Sequence, residues 1–204
     1  MNSRPRAVPR LVGYGHSWVA GEGASRPECG LTELAAALLG MSPVNRGVGG
    51  SSALDTAALI RREGAVRADV YLVLLGLNDA RLHGRNRQAL EAYTSALETV
   101  LAACEAAAPA AAVLLIAQPP LLEYGGYPPH DQGSTAAVEE YNHRMEQVAE
   151  RHRQALLVHV DLWDATTMLH DDAVHPNDRG HATLAAAAAG VYREAQCFRT
   201  SEPR

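Results

Sequence analysis

Apolar residues recur along this chain in two rhythms. Short unbroken runs, VYLVLL at Val70–Leu75 and AVLLIA at Ala112–Ala117, have no polar alternation. Such runs predict strands covered on both faces. Arg10–Tyr14, Pro43–Asn45 and Leu156–Val160 are three further strand candidates. Between them lie stretches with helical spacing. Thr32–Leu39 stops at Gly40, and Ser51–Arg62 opens with hydroxyl caps and closes in arginines before Gly64. Gln88–Ala108 runs to Pro109, Ser134–Gln154 is charged and amphipathic, and Asn177–Arg193 closes the pattern. Residues 195–204 read as a flexible tail.

Strands alternating with helices predict a parallel sheet with right-handed crossovers, hence a three-layer α/β fold. No composition break divides the chain, so 1–204 reads as a single domain with its core at about 10–194. In such folds ligands gather at the carboxyl ends of the strands. The corresponding loops are Gly15–Gly23, Gly47–Ser52, Gly76–Arg87, Gln118–Gly133 and Asp161–His175.

Composition removes several chemistries. All 18 basic residues are arginine, so a lysine Schiff base and a P-loop lysine are both excluded. The net charge of −5 offers no basic face for nucleic acid. Cys29, Cys104 and Cys197 form no paired framework and flank no reactive motif. The amino-terminal stretch lacks the apolar core of an export signal, and no segment approaches a membrane span. The expectation is a soluble, cytoplasmic protein that engages neither nucleic acid nor membrane.

Ser17 lies just after the first strand, in GYGHSWVAGEG. A serine hydroxyl becomes a useful nucleophile only beside a base. His175, in DDAVHPN, follows Asp172 by three residues, so one turn brings both to the same side. The carboxylate would fix the imidazole tautomer and stabilise the imidazolium that forms. Donors for a developing oxyanion are the Ser17 amide, the Gly50 amide in NRGVGGSS and the Asn78 side chain in LGLND.

These segments, GHS at Gly15–Ser17, NRGVGG at Asn45–Gly50, GLND at Gly76–Asp79 and DAVHPN at Asp172–Asn177, resemble in order and spacing the four blocks of the SGNH or GDSL hydrolases. The likeness spans about residues 10–190. It implies a flavodoxin-like sheet of order 2-1-3-4-5 and cofactor-free, metal-free acyl-ester chemistry through an acyl-enzyme on Ser17. It also implies a small-molecule acyl ester as substrate. One departure stands out: the family's aspartate before the nucleophile is His16 here, a residue free to touch substrate or to serve structure. The GxSxG elbow of the α/β-hydrolases is absent.

Blander readings stand beside these. Asp172 and His175 would also suit half of a metal site, though no HExxH or CxxC completes one. Asp161, Asp164 and Asp171 are rival partners for His175, and the family register selects Asp172. His181 fits a structural place on the last helix. Arg81, Arg85 and Arg87 either grip a substrate anion or form a solvated cluster. Trp18 either lines the cleft or packs on the sheet. The loop Gln118–Gly133, which holds Tyr124, suits a pocket wall. Two other functions use the same residues: acyl transfer to an alcohol or amine, and ligand binding without catalysis.

Overall fold

In the computed structural model, which describes residues 8–201, the two continuous apolar runs are neighbouring inner strands. They are β3 (Val70–Leu74) and β4 (Ala112–Ile116), every residue of each buried. β1 (Arg10–Gly15), β2 (Ser42–Gly47) and β5 (Ala155–Val158) complete a sheet of order β2-β1-β3-β4-β5. All neighbouring pairs are parallel. The layered α/β expectation and the strand order implied by the family blocks are therefore both observed. β2 contains Pro43 and is only partly buried, in keeping with its place at the sheet edge.

Helices cover both faces. α2 (Leu31–Leu39) packs with α8 (Asp178–Ser201) on one side. On the other, α5 (Arg87–Ala107) packs with α3 (Ala53–Glu63) and α6 (Thr135–Ala149). The hydroxyl caps are formed as the sequence suggests. Ser52 and Asp55 make a reciprocal capping box at α3, and Ser134 accepts from the Ala137 N–H at α6.

Three expectations change. The Gly76–Arg87 segment is largely helical: α4 (Leu77–His83) fits between Gly76 and Gly84 because Leu77, Asn78, Ala80 and Arg81 all turn inward. Short helical turns also occur inside predicted loops, α1 at Ser17–Ala20 and α7 at Ala165–Met168. α8 continues to Ser201, so the segment from residue 195 begins as helix rather than as a loose tail; 202–204 lie outside the described residues. Residues 1–7, part of the stretch read as lacking an export signal, also lie outside them. Among the described residues no helix is long and apolar enough to cross a membrane.

In this strand order the chain leaves β1 and β3 toward opposite sides, opening a crevice at their carboxyl ends. Ser17 follows β1 directly and Asn78 follows β3. The fold thus brings together two segments that are far apart in sequence.

Candidate active site

Ser17 is the first residue of α1, so its N–H has no intrahelical acceptor. The preceding His16 caps that turn: its Nδ1 accepts from the Trp18 N–H at 3.4 Å, and its Nε2 pairs with Gln118 Oε1 at 3.1 Å. This pair of bonds suits a neutral ring carrying its proton on Nε2. Burial drives the His16 pKa down to about 3, opposed by the Gln118 bond and helped by the nearby His175 and Arg81. His16 is wholly buried and does not line the cleft described below, which favours the structural of its two readings. It supplies the cap bond at the Ser17 turn.

The Asp172–His175 turn is tightly bonded. Asp172 Oδ1 accepts from the Val174 and His175 N–H groups, each at 2.9 Å, and Oδ2 lies 2.6 Å from His175 Nδ1. Burial tends to raise the Asp172 pKa, but these bonds outweigh it and hold the carboxyl below its usual range. The intervening Ala173 adopts a left-handed φ of 56°, a strained conformation for a residue with a Cβ. With Nδ1 committed to Asp172, Nε2 is the ring nitrogen left for other chemistry. It stands 3.3 Å from Glu22 Oε2.

The loop after β2 is pinned to the end of β1: Val48 N–H donates to the Gly15 carbonyl at 2.9 Å, and Ser51 N–H to the Val48 carbonyl at 3.2 Å. Gly50 sits at φ 71°, with open space where a side chain would begin. Asn78 is buried, and its Nδ2 donates to the Ser51 carbonyl at 2.9 Å. An amide carries two N–H donors, so one remains for a ligand. Asp79 accepts from the Ala53 N–H at the start of α3, tying the Asn78 turn to the Gly50 loop.

Ser17, Gly50, Asn78, Asp172 and His175 all line one cleft of about 260 Å³. Of the other predicted contact residues, only Arg81 joins them. Trp18 is fully buried; its Nε1 donates to the Val174 carbonyl at 2.9 Å and its ring stacks on Trp163 at 5.2 Å. Its place is therefore beneath the site, holding the Ser17 turn to the His175 turn. Arg85 is exposed and faces Glu140 at 3.9 Å, so it belongs to the solvated surface, and Arg87 pairs with Glu91 at 2.9 Å. Tyr124 turns into its own loop, where its hydroxyl accepts from the Leu121 N–H at 3.0 Å. His181 is buried and bonds the Glu22 carbonyl at 3.1 Å, a structural place.

The cleft adds Glu22, Tyr127, His130 and Val174, which sequence reasoning did not single out. Tyr127 and His130 belong to the wall segment Gln118–Gly133, but nothing in its composition distinguishes them from Tyr124. Glu22 lies in GEG, five residues after Ser17, and only the glycines beside it hint at close packing. A side chain on Gly23 would run into the Pro176 carbonyl, next to His175. Among the described residues, no three His, Cys, Asp or Glu side chains are grouped as a metal-ligand set.

Residues 13–183 match the family model described as the GDSL-like Lipase/Acylhydrolase family. No curated protein matches the chain. Solved structures share the fold at low identity. A mutant of Axe2, an acetyl-xylooligosaccharide esterase from Geobacillus, is 22% identical with a TM-score of 0.66, covering 90% of this chain and 93% of that one. The psychrotrophic esterase EstA from Pseudoalteromonas is 17% identical with a TM-score of 0.68, covering 92% and 98%. A salicylyl-acyltransferase from a tetracycline biosynthetic pathway is 20% identical with a TM-score of 0.67, covering 95% of this chain and 56% of the other.

Proposed function

The chain belongs to the GDSL-like lipase/acylhydrolase family, and on that premise we propose that it is a serine esterase that cleaves a small carboxylic ester through an acyl-enzyme. The observation that carries this reading is the 2.6 Å Asp172–His175 bond, set in the same cleft as Ser17, Gly50 and Asn78.

His175 Nε2 takes the Ser17 proton as the hydroxyl oxygen attacks the ester carbonyl, and Asp172 stabilises the imidazolium from the Nδ1 side. Glu22, a long and half-exposed side chain, yields Nε2 to the serine when substrate enters. The Ser17 and Gly50 N–H groups and the second Asn78 N–H receive the oxyanion. The imidazolium then protonates the leaving alcohol. A water molecule, deprotonated by the same nitrogen, attacks the acyl-enzyme, and the carboxylic acid leaves as Ser17 regains its proton.

The test pairs two measurements. A fluorophosphonate probe should label Ser17, read by mass spectrometry, and Ser17→Ala should abolish hydrolysis of a short-chain aryl ester while the circular dichroism spectrum is kept. Undiminished turnover in that variant would overturn the mechanism, and folded protein without label would favour a binding module. The fold shared with a salicylyl-acyltransferase keeps a second reading open, in which an alcohol or amine discharges the acyl-enzyme in place of water. Product analysis with candidate acceptors present separates the two.

A further inference from the structure

The charges that line the cleft are unequally matched. Asp172 is satisfied by two backbone N–H groups and by His175, and Glu22 faces the same imidazole. Arg81 has no such partner. It stands three residues after Asn78 on α4, so both side chains share one helix face, with Cβ atoms roughly 5–6 Å apart. The residue is only 6% exposed, and its Nε is buried with no hydrogen-bond partner. Among the described residues no carboxylate lies within ion-pair distance of its guanidinium. The contact it does make is with the Tyr127 ring, whose centroid is 5.9 Å away. In the same cleft, close enough for the Arg81 charge to act on it, His130 has a second orphan, an Nε2 that is buried and unpartnered.

A guanidinium cannot shed its proton to escape burial; the Asp172 charge acts on it within the cleft but forms no ion pair with it, and its Nε is left without an acceptor. Solvated clusters behave differently here, as the exposed Arg85 and Arg87 show by pairing with Glu140 and Glu91. Burial lowers the pKa of His130, and the Arg81 charge lowers it further, so the ring is biased to its neutral form.

Resting on the esterase reading above, we propose that Arg81, with His130 beside it, is the recognition site for an oxyanion carried by the substrate, a carboxylate or a phosphate a few bonds from the reacting carbonyl. The enzyme is then selective for small anionic esters. The one-turn offset from Asn78 sets the short spacer, and the modest cleft sets the small size. The planar guanidinium takes the anion through its free N–H groups, a geometry that lysine does not reproduce.

Matched ester pairs test this. 4-Nitrophenyl hemisuccinate against 4-nitrophenyl butyrate places the charge on the acyl side, and 4-acetoxybenzoate against phenyl acetate places it on the alcohol side. The expected result is that kcat/KM favours the charged member of at least one pair by on the order of tenfold or more. Arg81→Gln should bring that ratio to about one or below, and Arg81→Lys should keep only part of it. A second readout avoids turnover: in a Ser17→Ala background, succinate or inorganic phosphate should raise the thermal midpoint, and adding Arg81→Gln should remove the shift. The two anions tell carboxylate from phosphate selectivity. Preference for the neutral member of both pairs, or a ratio untouched by Arg81→Gln, would overturn the proposal. If Arg81→Gln does not fold, the wild-type ratios and competition by the two anions decide. If no ester is cleaved and Ser17 takes no probe, the esterase reading fails, and the anion site stands or falls on the thermal shift.

Discussion

Asp79 offers a sharp thermodynamic test of how the site is built. Its carboxyl is only 5% exposed and accepts from the Ala53 N–H at 3.0 and 3.2 Å. Burial is the main influence and raises its pKa from 3.8 to about 6; the bond from Ala53 pulls it back, and the nearby Asp55 charge pushes it up. Between those two values the unfolded chain has released this proton while the folded protein keeps it. The stability tied to the protonated carboxyl is therefore present below about pH 4 and is lost as pH rises through about 6. At about 1.36 kcal/mol per pKa unit, a displacement of roughly two units amounts to about 3 kcal/mol. Asp79→Asn keeps an oxygen for the Ala53 N–H and removes the ionisation. Urea unfolding of both proteins at pH 4 and pH 7.5, with equal m-values, should show the variant gaining about 2.4 kcal/mol on the wild type between the two conditions, less than the full displacement because the unfolded carboxyl is already partly ionised at pH 4. Parallel pH profiles would refute the reasoning, because they would mean that the carboxylate is solvated or paired when charged.

Asn78→Ala should lower kcat by ~10²–10³ through loss of one oxyanion donor, with Ser17 still labelled by a fluorophosphonate. A change below tenfold would remove Asn78 from the oxyanion site. Trp18→Phe deletes the N–H that holds the Val174 carbonyl and leaves that carbonyl buried without a partner. It should cost about 1–3 kcal/mol in denaturant unfolding. Turnover should fall with it, since this bond joins the Ser17 turn to the His175 turn; unchanged kinetics in a destabilised variant would show that the two turns are positioned independently.

Much of the fold was legible because its physics is local. A strand covered on both faces must be apolar throughout, so β3 and β4 stand out unaided. The hydroxyls that open Ser51–Arg62 announce a helix because a hydroxyl can satisfy N–H groups that the helix leaves open, as Ser52 does. α4 was hidden for the opposite reason. Its seven residues lie between two glycines, and the inward face that holds it mixes Leu77 and Ala80 with Asn78 and Arg81. A helix that buries polar residues for a site breaks the periodicity by which helices are found.

The same distinction separates the site residues that were foreseeable from those that were not. Ser17, Asp172 and His175, the proposed catalytic residues, are recognisable because the proposed chemistry demands particular residue types at a particular spacing. Arg81, Arg85 and Arg87 satisfy the same local description, yet Arg81 is buried in the cleft while the other two pair in solvent. The place of Arg81 on α4 and the approach of the Gln118–Gly133 segment decide between them: the Gln132 N–H donates to the Arg81 carbonyl, and the Tyr127 ring lies beside its guanidinium. Glu22 is set by similarly distant contacts, its carbonyl bonded by His181 from α8 and its carboxylate facing His175. Trp18 and His16 reverse the pattern, since residues adjacent to a proposed nucleophile are natural suspects for substrate contact. Both are buried beneath the turn, where one caps it and the other ties it to the His175 turn. Proximity in sequence to the reacting atom thus assigns these two to the support of the site. Contacts from opposite ends of the chain supply its walls, and with them the features on which substrate selectivity would depend.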